Sequence, residues 1–328
     1  MINSLPYTLS SGKNNKFLYY MSNYISYAIP PFIYRSLLKH KVKSFYKRAE
    51  QDPSLIERLN YYNKLESNTK LEPKEILHKL SSLKKSKDYA SVYYFDSFEY
   101  TRYFPQSLLW AFAFGDITHI PQAPAIVKSR PIGDHNHNSV LMKLNKIRHF
   151  IFVKDTIPFK DKMDIAIFRG KVDNKESRIR FMELYFGNKM CDLGNIHKRS
   201  QCPQEWITPK MTIKEHLNYK FILALEGNDV ASNLKWIMSS NSIAVMPKPT
   251  YETWFMEGKL IPNVHYIEIK EDYSDLEERM NHYIQHPEEA QMIIDNANKY
   301  VEQFKERENE ELLSIMVLHK YFTSTGQL

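Results

Sequence analysis

In the second half of the chain, apolar positions fall into short continuous runs separated by stretches of helical spacing. The runs 164-DIAIF-168, 221-FILALE-226, 242-SIAVM-246 and 264-VHYIEI-269 read as strands, the second as a strand buried on both faces of a parallel sheet. Between them the spacing predicts a helix starting near Lys175 and helices over 211–220, 230–239 and 251–258. A helical tail follows, opened by a capping box at Ser274-Asp-Leu-Glu277, with Pro287 suited to the first turn of the next helix. Strands alternating with helices predict βαβ units around a parallel sheet.

The first half is less regular. Residues 71–90 have helical spacing, and 91-SVYYFD-96 predicts a strand that ends at an acid. A mixed segment follows at 107–121. Residues 123–140 carry turn chemistry around 130-RPIGD-134 and predict a loop. Charge and proline interrupt the apolar pattern at 153-VKDTIPFKDK-162. That places a boundary between an N-terminal domain, 1–155, and a C-terminal domain, 156–328. Residues 17–48 begin aromatic and apolar, break at Pro30-Pro31, and turn strongly basic. They fit either helices with a solvated basic face or an interfacial patch, with aromatics at an acyl boundary and Lys/Arg over anionic headgroups.

Composition narrows the classes. A chain of 328 residues, 43% hydrophobic, has material for two packed cores and is not globally disordered. A net charge of +7 is compatible with nucleic acid, an anionic membrane surface or phosphorylated substrates. The two cysteines, Cys191 and Cys202, belong to no CxxC or Cys/His ligand set, which argues against zinc and weakly favours a reducing compartment. The polar loop 134-DHNHNS-139 maps onto no closed metal site. The stretch MINSLPYTLSSGKNNK has no apolar core, so no signal peptide is expected, and no run reaches the ~18 apolar residues of a membrane span.

Three segments carry candidate chemistry. In 226-EGNDVASNLKWI-237 a buried strand ends, Gly227 permits a tight turn, and a helix is expected. Free N–H groups and the positive end of the helix dipole would suit a phosphate. Asn228, Asp229, Ser232, Asn233 and Lys235 lie in that turn and first helical residues, although Asp229 equally suits a simple N-cap. The segment is neither GxGxxG nor a P-loop. In 167-IFRGKVDNKESRIRF-181 a strand delivers Arg169 and Gly170 to its carboxyl end, and the next helix carries Arg178 and Arg180. Guanidinium forks match phosphate oxygens, so these arginines are candidates to clamp a diphosphate. The third feature is acidic: Asp96, or Asp116 in 114-FGDITH-119, is a candidate general base toward a hydroxyl.

FRG followed by Arg178, the stretch 221-FILALEGNDVASNLKW-236, and 262-PNVHYIEI-269 together resemble glycosyltransferase family 90. The similarity spans roughly 90–300. The bacterial branch, which includes lipopolysaccharide core enzymes, is the most similar through 127-VKSRPI-132, 138-NSVLMKLNKIRHF-150 and 221–258. The resemblance implies an α/β fold of GT-B type, two facing Rossmann-like domains with a cleft between them, and an inverting, metal-independent enzyme. It places donor binding on Arg169, Gly170, Arg178 and the 227–235 segment. Where the eukaryotic branch has a serine and an arginine in that segment, this chain has Ala231 and Asn233. The family's base maps onto Asp96, with Asp116 as the competitor.

The expected function is therefore transfer of a hexose, glucose or galactose, from a UDP-sugar to a lipopolysaccharide core acceptor. No cofactor, metal or nucleic acid is expected. The acceptor would be a lipid-linked oligosaccharide, and the basic N-terminus would hold the enzyme to the anionic inner face of the cytoplasmic membrane. A protein or capsule acceptor, or a non-catalytic basic binding protein on a degenerate fold, are the alternatives.

Overall fold

A computed structural model describes residues 12–27 and 29–328. Residues 1–11, where a leader was sought, and Ala28 lie outside them. The strands in chain order are β1 (His78–Lys79), β2 (Leu109–Ala113), β3 (Ala125–Val127), β4 (Ser129–Pro131), β5 (Ser139–Leu141), β6 (Met163–Gly170), β7 (Cys191–Asn195), β8 (Tyr219–Leu223), β9 (Ile243–Met246), β10 (Tyr251–Thr253) and β11 (Ile267–Glu268). The chain divides into two compact units.

One unit holds the described part of residues 1–15, then 148–250 and 258–303. Its five-stranded sheet has the order β11-β9-β8-β6-β7, and every pairing is parallel. Phe221 lies opposite both Ala166 and Ile243, so β8 is central, as its unbroken apolar run predicts. Ala166, Phe168, Phe221, Leu223, Val245 and Ile267 form a core with Phe181, Met182 and Tyr185 of the helix Glu176–Tyr185 and with Ile293 and Ile294 of the helix Pro287–Glu302. Fully burying each such large apolar side chain contributes roughly 1.5–3 kcal/mol.

The helix expected to start near Lys175 forms as Glu176–Tyr185 and the helical tail forms too, but two other expected helices of this unit are shorter. Over 211–220 the helix is only Ile213–His216, closed by a capping box between Thr212 and Glu215, because β8 already begins at Tyr219. Over 230–239 it is one turn, Leu234–Ile237; the preceding run is rich in Asn, Asp and Ser, which bond the backbone in turns. No capping box forms at Ser274: the helix Leu276–Gln285 starts after Asp275 with no side-chain cap. Asp275 Oδ1 instead accepts from the Lys270 N–H at 2.8 Å. Pro287 does occupy a first turn.

The other unit holds 16–147, 251–257 and 304–328. Its main sheet has the order β1-β2-β3-β5, parallel from β2 to β5 with β1 antiparallel at the edge. A second ladder pairs β4 with β10 antiparallel. Thus 123–140 is not all loop: it carries three short strands, with the expected turn at 132–138, and 251–258 is not a helix but β10 and a 3₁₀ turn, Glu257–Lys259. Residues 71–90 hold two 3₁₀ turns, Lys74–Ile76 and Leu80–Ser82, around β1 and are otherwise irregular. The segment expected to be a strand at 91–96 is the start of a helix, Ser91–Thr101. Val92, Tyr93, Tyr94, Phe95, Asp96 and Ser97 are all buried, so there is no in-out alternation, and packing on all sides overrides the β preference of its aromatics.

Two continuous halves were expected, yet 251–257 and 304–328 pack with the first half. Glu310, on the helix Arg307–Ser324, explains the return. Its carboxylate is buried and accepts from Arg58 at 2.5 Å, Lys143 at 2.6 Å and Trp254 Nε1 at 2.8 Å. Trp254 stacks on Tyr62 with ring centroids 3.8 Å apart. Arg130, fully buried, binds Glu252 at 2.7 Å, tying β4 to β10. Removing one partner of such a buried ion pair typically costs about 3–5 kcal/mol.

Candidate functional site

Ligands of open α/β sheets bind beyond the carboxyl ends of the strands. In the five-stranded sheet, β6 delivers Arg169 and Gly170 there, and β8 leads to Glu226 and Gly227. Arg178, from the helix after β6, bridges the two ends. Its Nε donates to the Glu226 carbonyl at 2.9 Å, Nη1 to the Lys171 carbonyl at 2.8 Å and Nη2 to the Leu225 carbonyl at 2.6 Å. The guanidinium also lies 5.5 Å from the Phe168 ring centroid.

Gly170 and Gly227 make room for this arrangement. A Cβ on Gly227 would stand 3.1 Å from Arg178 Nη2, and one on Gly170 would stand 2.6 Å from Phe168 and 3.4 Å from Arg178 Nη1. A chain with nine glycines spends two of them on seating one arginine. Burial, and then the nearby Arg148, lower the Arg178 pKa to about 10. Its hydrogen-bond acceptors among the described residues are backbone carbonyl oxygens, which leaves a positive charge only partly compensated at the sheet end.

Arg169 does something else. Successive strand residues point to opposite faces, so Arg169 lies across the sheet from Phe168 and Arg178. It donates to the Asp192 backbone at 2.9 Å and to the Asp192 carboxylate at 2.5 Å. Tyr219 holds the other oxygen of that carboxylate at 2.7 Å. The two arginines expected to grip one diphosphate are therefore not brought together.

The remaining donor candidates divide. Asn228 accepts from Lys175, which joins the turn after β8 to the loop after β6. Asn233 donates to the Leu223 carbonyl at 3.0 Å, and Ser232 is half-buried. Asp229 and Lys235 are buried, and the helix over them is a single turn, so the expected helix-dipole site is not built as such. Arg180 lines a different, open cavity of about 570 Å³ with Asn174, Glu176, Ile179 and Glu183. Two carboxylates against one guanidinium suit an anion poorly there.

Sequence reasoning missed the network that shapes the loops beyond β6 and β7. Asp173 accepts from Ser200 Oγ at 2.5 Å, Gln201 N–H at 3.0 Å and Asn195 Nδ2 at 3.2 Å, and pairs with His197 at 3.0 Å. Burial pushes its carboxyl up, but these hydrogen bonds outweigh burial and hold it well below the usual carboxylate range. The loops so held carry Lys171, Lys175, His197, Lys198 and Arg199. With Arg178 they give the carboxyl ends of β6 and β7 a cationic rim.

The two candidate bases, both in the other unit, have opposite surroundings. Asp96 is fully buried on the helix Ser91–Thr101, not at a strand end. Tyr19 donates to it at 2.6 Å and the Lys146 N–H at 3.0 Å, with the Lys146 ammonium at 3.5 Å. Burial raises its pKa, against the pull of Lys146 and Tyr19. Asp116 follows β2, whose end turns at Gly115 with φ +123°. Its side chain is 27% exposed and pairs with the buried Lys128. It is Asp116, then, that occupies the carboxyl end of a parallel strand. Among the described residues no three His, Cys, Asp or Glu side chains converge as a metal site.

A parallel α/β sheet with a cationic, glycine-lined carboxyl edge is an arrangement suited to an anionic ligand. The sequence model of Glycosyl transferase family 90 matches residues 139–321. The chain is also 42% identical over 275 residues to "O-glucosyltransferase LpsA" of Dichelobacter nodosus, covering 84% of this chain and 85% of that protein. The chain belongs to glycosyltransferase family 90.

Proposed function

We propose that this glycosyltransferase is an inverting, metal-independent enzyme of GT-B type that moves glucose from UDP-glucose to a lipid-linked oligosaccharide of the lipopolysaccharide core. Glucose is favoured over galactose by the name of the 42% identical relative. The observation that carries the donor assignment is the half-buried Arg178, seated between two glycines at the carboxyl ends of β6 and β8. A diphosphate approaching that edge would meet this guanidinium and the cationic loops around it. Such preset charge stabilises a departing UDP without reorganisation during the reaction.

We assign the base to Asp116 in place of Asp96. A base must reach the proton that it takes, and Asp116 is partly open while Asp96 is sealed under Tyr19. Lys128 holds the Asp116 side chain in place through an ion pair. Asp96 then acts as a buried tie between two helices.

The test is a panel of UDP-glucose, UDP-galactose, UDP-N-acetylglucosamine and free UDP, read by thermal protection and sugar release. UDP and UDP-glucose should protect, with UDP-glucose hydrolysed fastest. Absence of protection by every uridine ligand would overturn the donor assignment.

A further inference from the structure

The helix Lys16–Tyr27 is amphipathic in the reverse sense for a protein in water. Phe17, Leu18, Met21, Tyr24 and Ile25 are 72, 53, 43, 54 and 64% exposed. At a helical period these five fall within roughly 120° of one another, on a single outward face. The inward face is the polar one. Tyr19 bonds Asp96 at 2.6 Å, and Ser26 accepts from Arg102 at 2.7 Å. Tyr20 packs edge-on against Phe95 at 5.7 Å.

The apolar character continues through the connection and into the helix Pro31–Gln51, where Ile29, Phe32, Ile33 and Leu37 are 39, 63, 40 and 40% exposed. A run of exposed large apolar side chains this long marks an interaction surface. Its charge identifies the partner. Residues 16–51 hold seven Lys and Arg against one acid, Glu50. Arg35, Lys39, Lys43 and Lys47 are exposed and four residues apart, so they form one stripe along the second helix. Lys84, Lys85 and Lys87 are exposed as well; Lys85 donates to the Tyr24 hydroxyl at 2.5 Å and sits 4.3 Å from its ring centroid. Aromatic and aliphatic side chains beside a basic stripe match a bilayer with anionic headgroups, where the former enter the acyl boundary and the latter meet the charge. A second copy of the chain would bring the same stripe against itself and be repelled.

We infer that residues 16–51, with the basic loop 84–87, form a docking surface for an anionic lipid bilayer. Among the described residues no helix is long and apolar enough to cross a membrane, so the helix lies along the interface. The inference is independent of sugar transfer and is tested without donor or acceptor. The full chain is sedimented with phosphatidylcholine vesicles with and without phosphatidylglycerol, over a salt series. Binding should need phosphatidylglycerol and weaken as salt rises. Neutralising three lysines of the stripe (K39Q, K43Q and K47Q) should weaken it about a hundredfold, at ~1 kcal/mol for each basic residue. Met21→Ser with Ile25→Ser should abolish binding even at low salt. Ile25→Trp gives a reading that does not depend on helix stability in the serine pair: its fluorescence should be quenched by brominated acyl chains. Three results would each overturn the inference: equal binding to neutral vesicles, an unquenched Trp, or concentration-dependent dimerisation in place of vesicle binding.

Discussion

At the scale of single residues, the two arginines that follow β6 look alike in sequence and differ in what they touch. Arg169 is neutralised by Asp192 at 2.5 Å; Arg178 holds only partly negative carbonyl oxygens. A second anion therefore gains little from Arg169 and much from Arg178. Arg178→Lys keeps a charge but loses the fork. It should weaken UDP binding, measured by calorimetry, about ten- to a hundredfold, the weight of a hydrogen bond to a charged group. Arg169→Lys should leave UDP affinity near that of the parent and lower the melting temperature instead. The reverse pattern would move the donor site to the other face of the sheet. The same contrast separates the aspartates. Asp116→Asn should keep UDP affinity and lower transfer ~10²–10⁴-fold, the usual contribution of a positioned base. Asp96→Asn should cost about 1–3 kcal/mol of stability by disturbing a buried polar network, while the folded fraction still transfers sugar.

At the scale of elements, legibility follows burial. The strands β6, β8 and β9 were readable because a strand covered on both faces must be apolar throughout. The short helices were not, because a helix such as Leu234–Ile237 is wholly buried and so shows no period. The helix Ser91–Thr101 misled for the same reason: its aromatics satisfy a strand pattern and a buried helix equally. Arg178 was legible as a residue type at a spacing, but its partners are backbone carbonyls, which no side-chain pattern reports. The loops beyond β6 and β7 were least legible, since Asp173 gathers Asn195, Ser200 and Gln201 from across the chain. This network carries a pH signature. Its folded pKa lies below the unfolded value, so its stabilisation is complete above the unfolded pKa near ~4 and is lost as pH falls below it. Asp173→Ala should speed hydrogen exchange over 196–201 at neutral pH and flatten the acid limb of the stability curve. Unchanged exchange there would show that the loop is held by other contacts.

At the scale of the whole molecule, the question is how a glycosyltransferase offsets the charge of a leaving nucleoside diphosphate. A divalent cation held between carboxylates is one solution. It needs several acids converging on the diphosphate and aimed at the ion rather than at the surrounding loops. At the carboxyl edge of β6–β8 the carboxylates are engaged. Asp173 is bound by four groups, and Glu226 accepts from the Thr250 N–H at 3.0 Å and from its hydroxyl at 2.5 Å. The cations are supplied by the chain itself, in Arg178 and in the lysines and arginine of the two loops. On the proposed reading, oriented donors in such a site stabilise the leaving charge in the way an oxyanion hole does. Transfer should therefore persist in excess EDTA at the rate seen without it, and added Mg²⁺ or Mn²⁺ should change it less than twofold. Because the charge is carried by partly exposed side chains, the apparent affinity for UDP-glucose should fall with rising salt, as screening predicts. The assay is turnover of UDP-glucose with a core oligosaccharide acceptor, after dialysis against chelator. Turnover lost on chelation and restored by a divalent ion would mean that the arginine and lysines alone do not hold the leaving group.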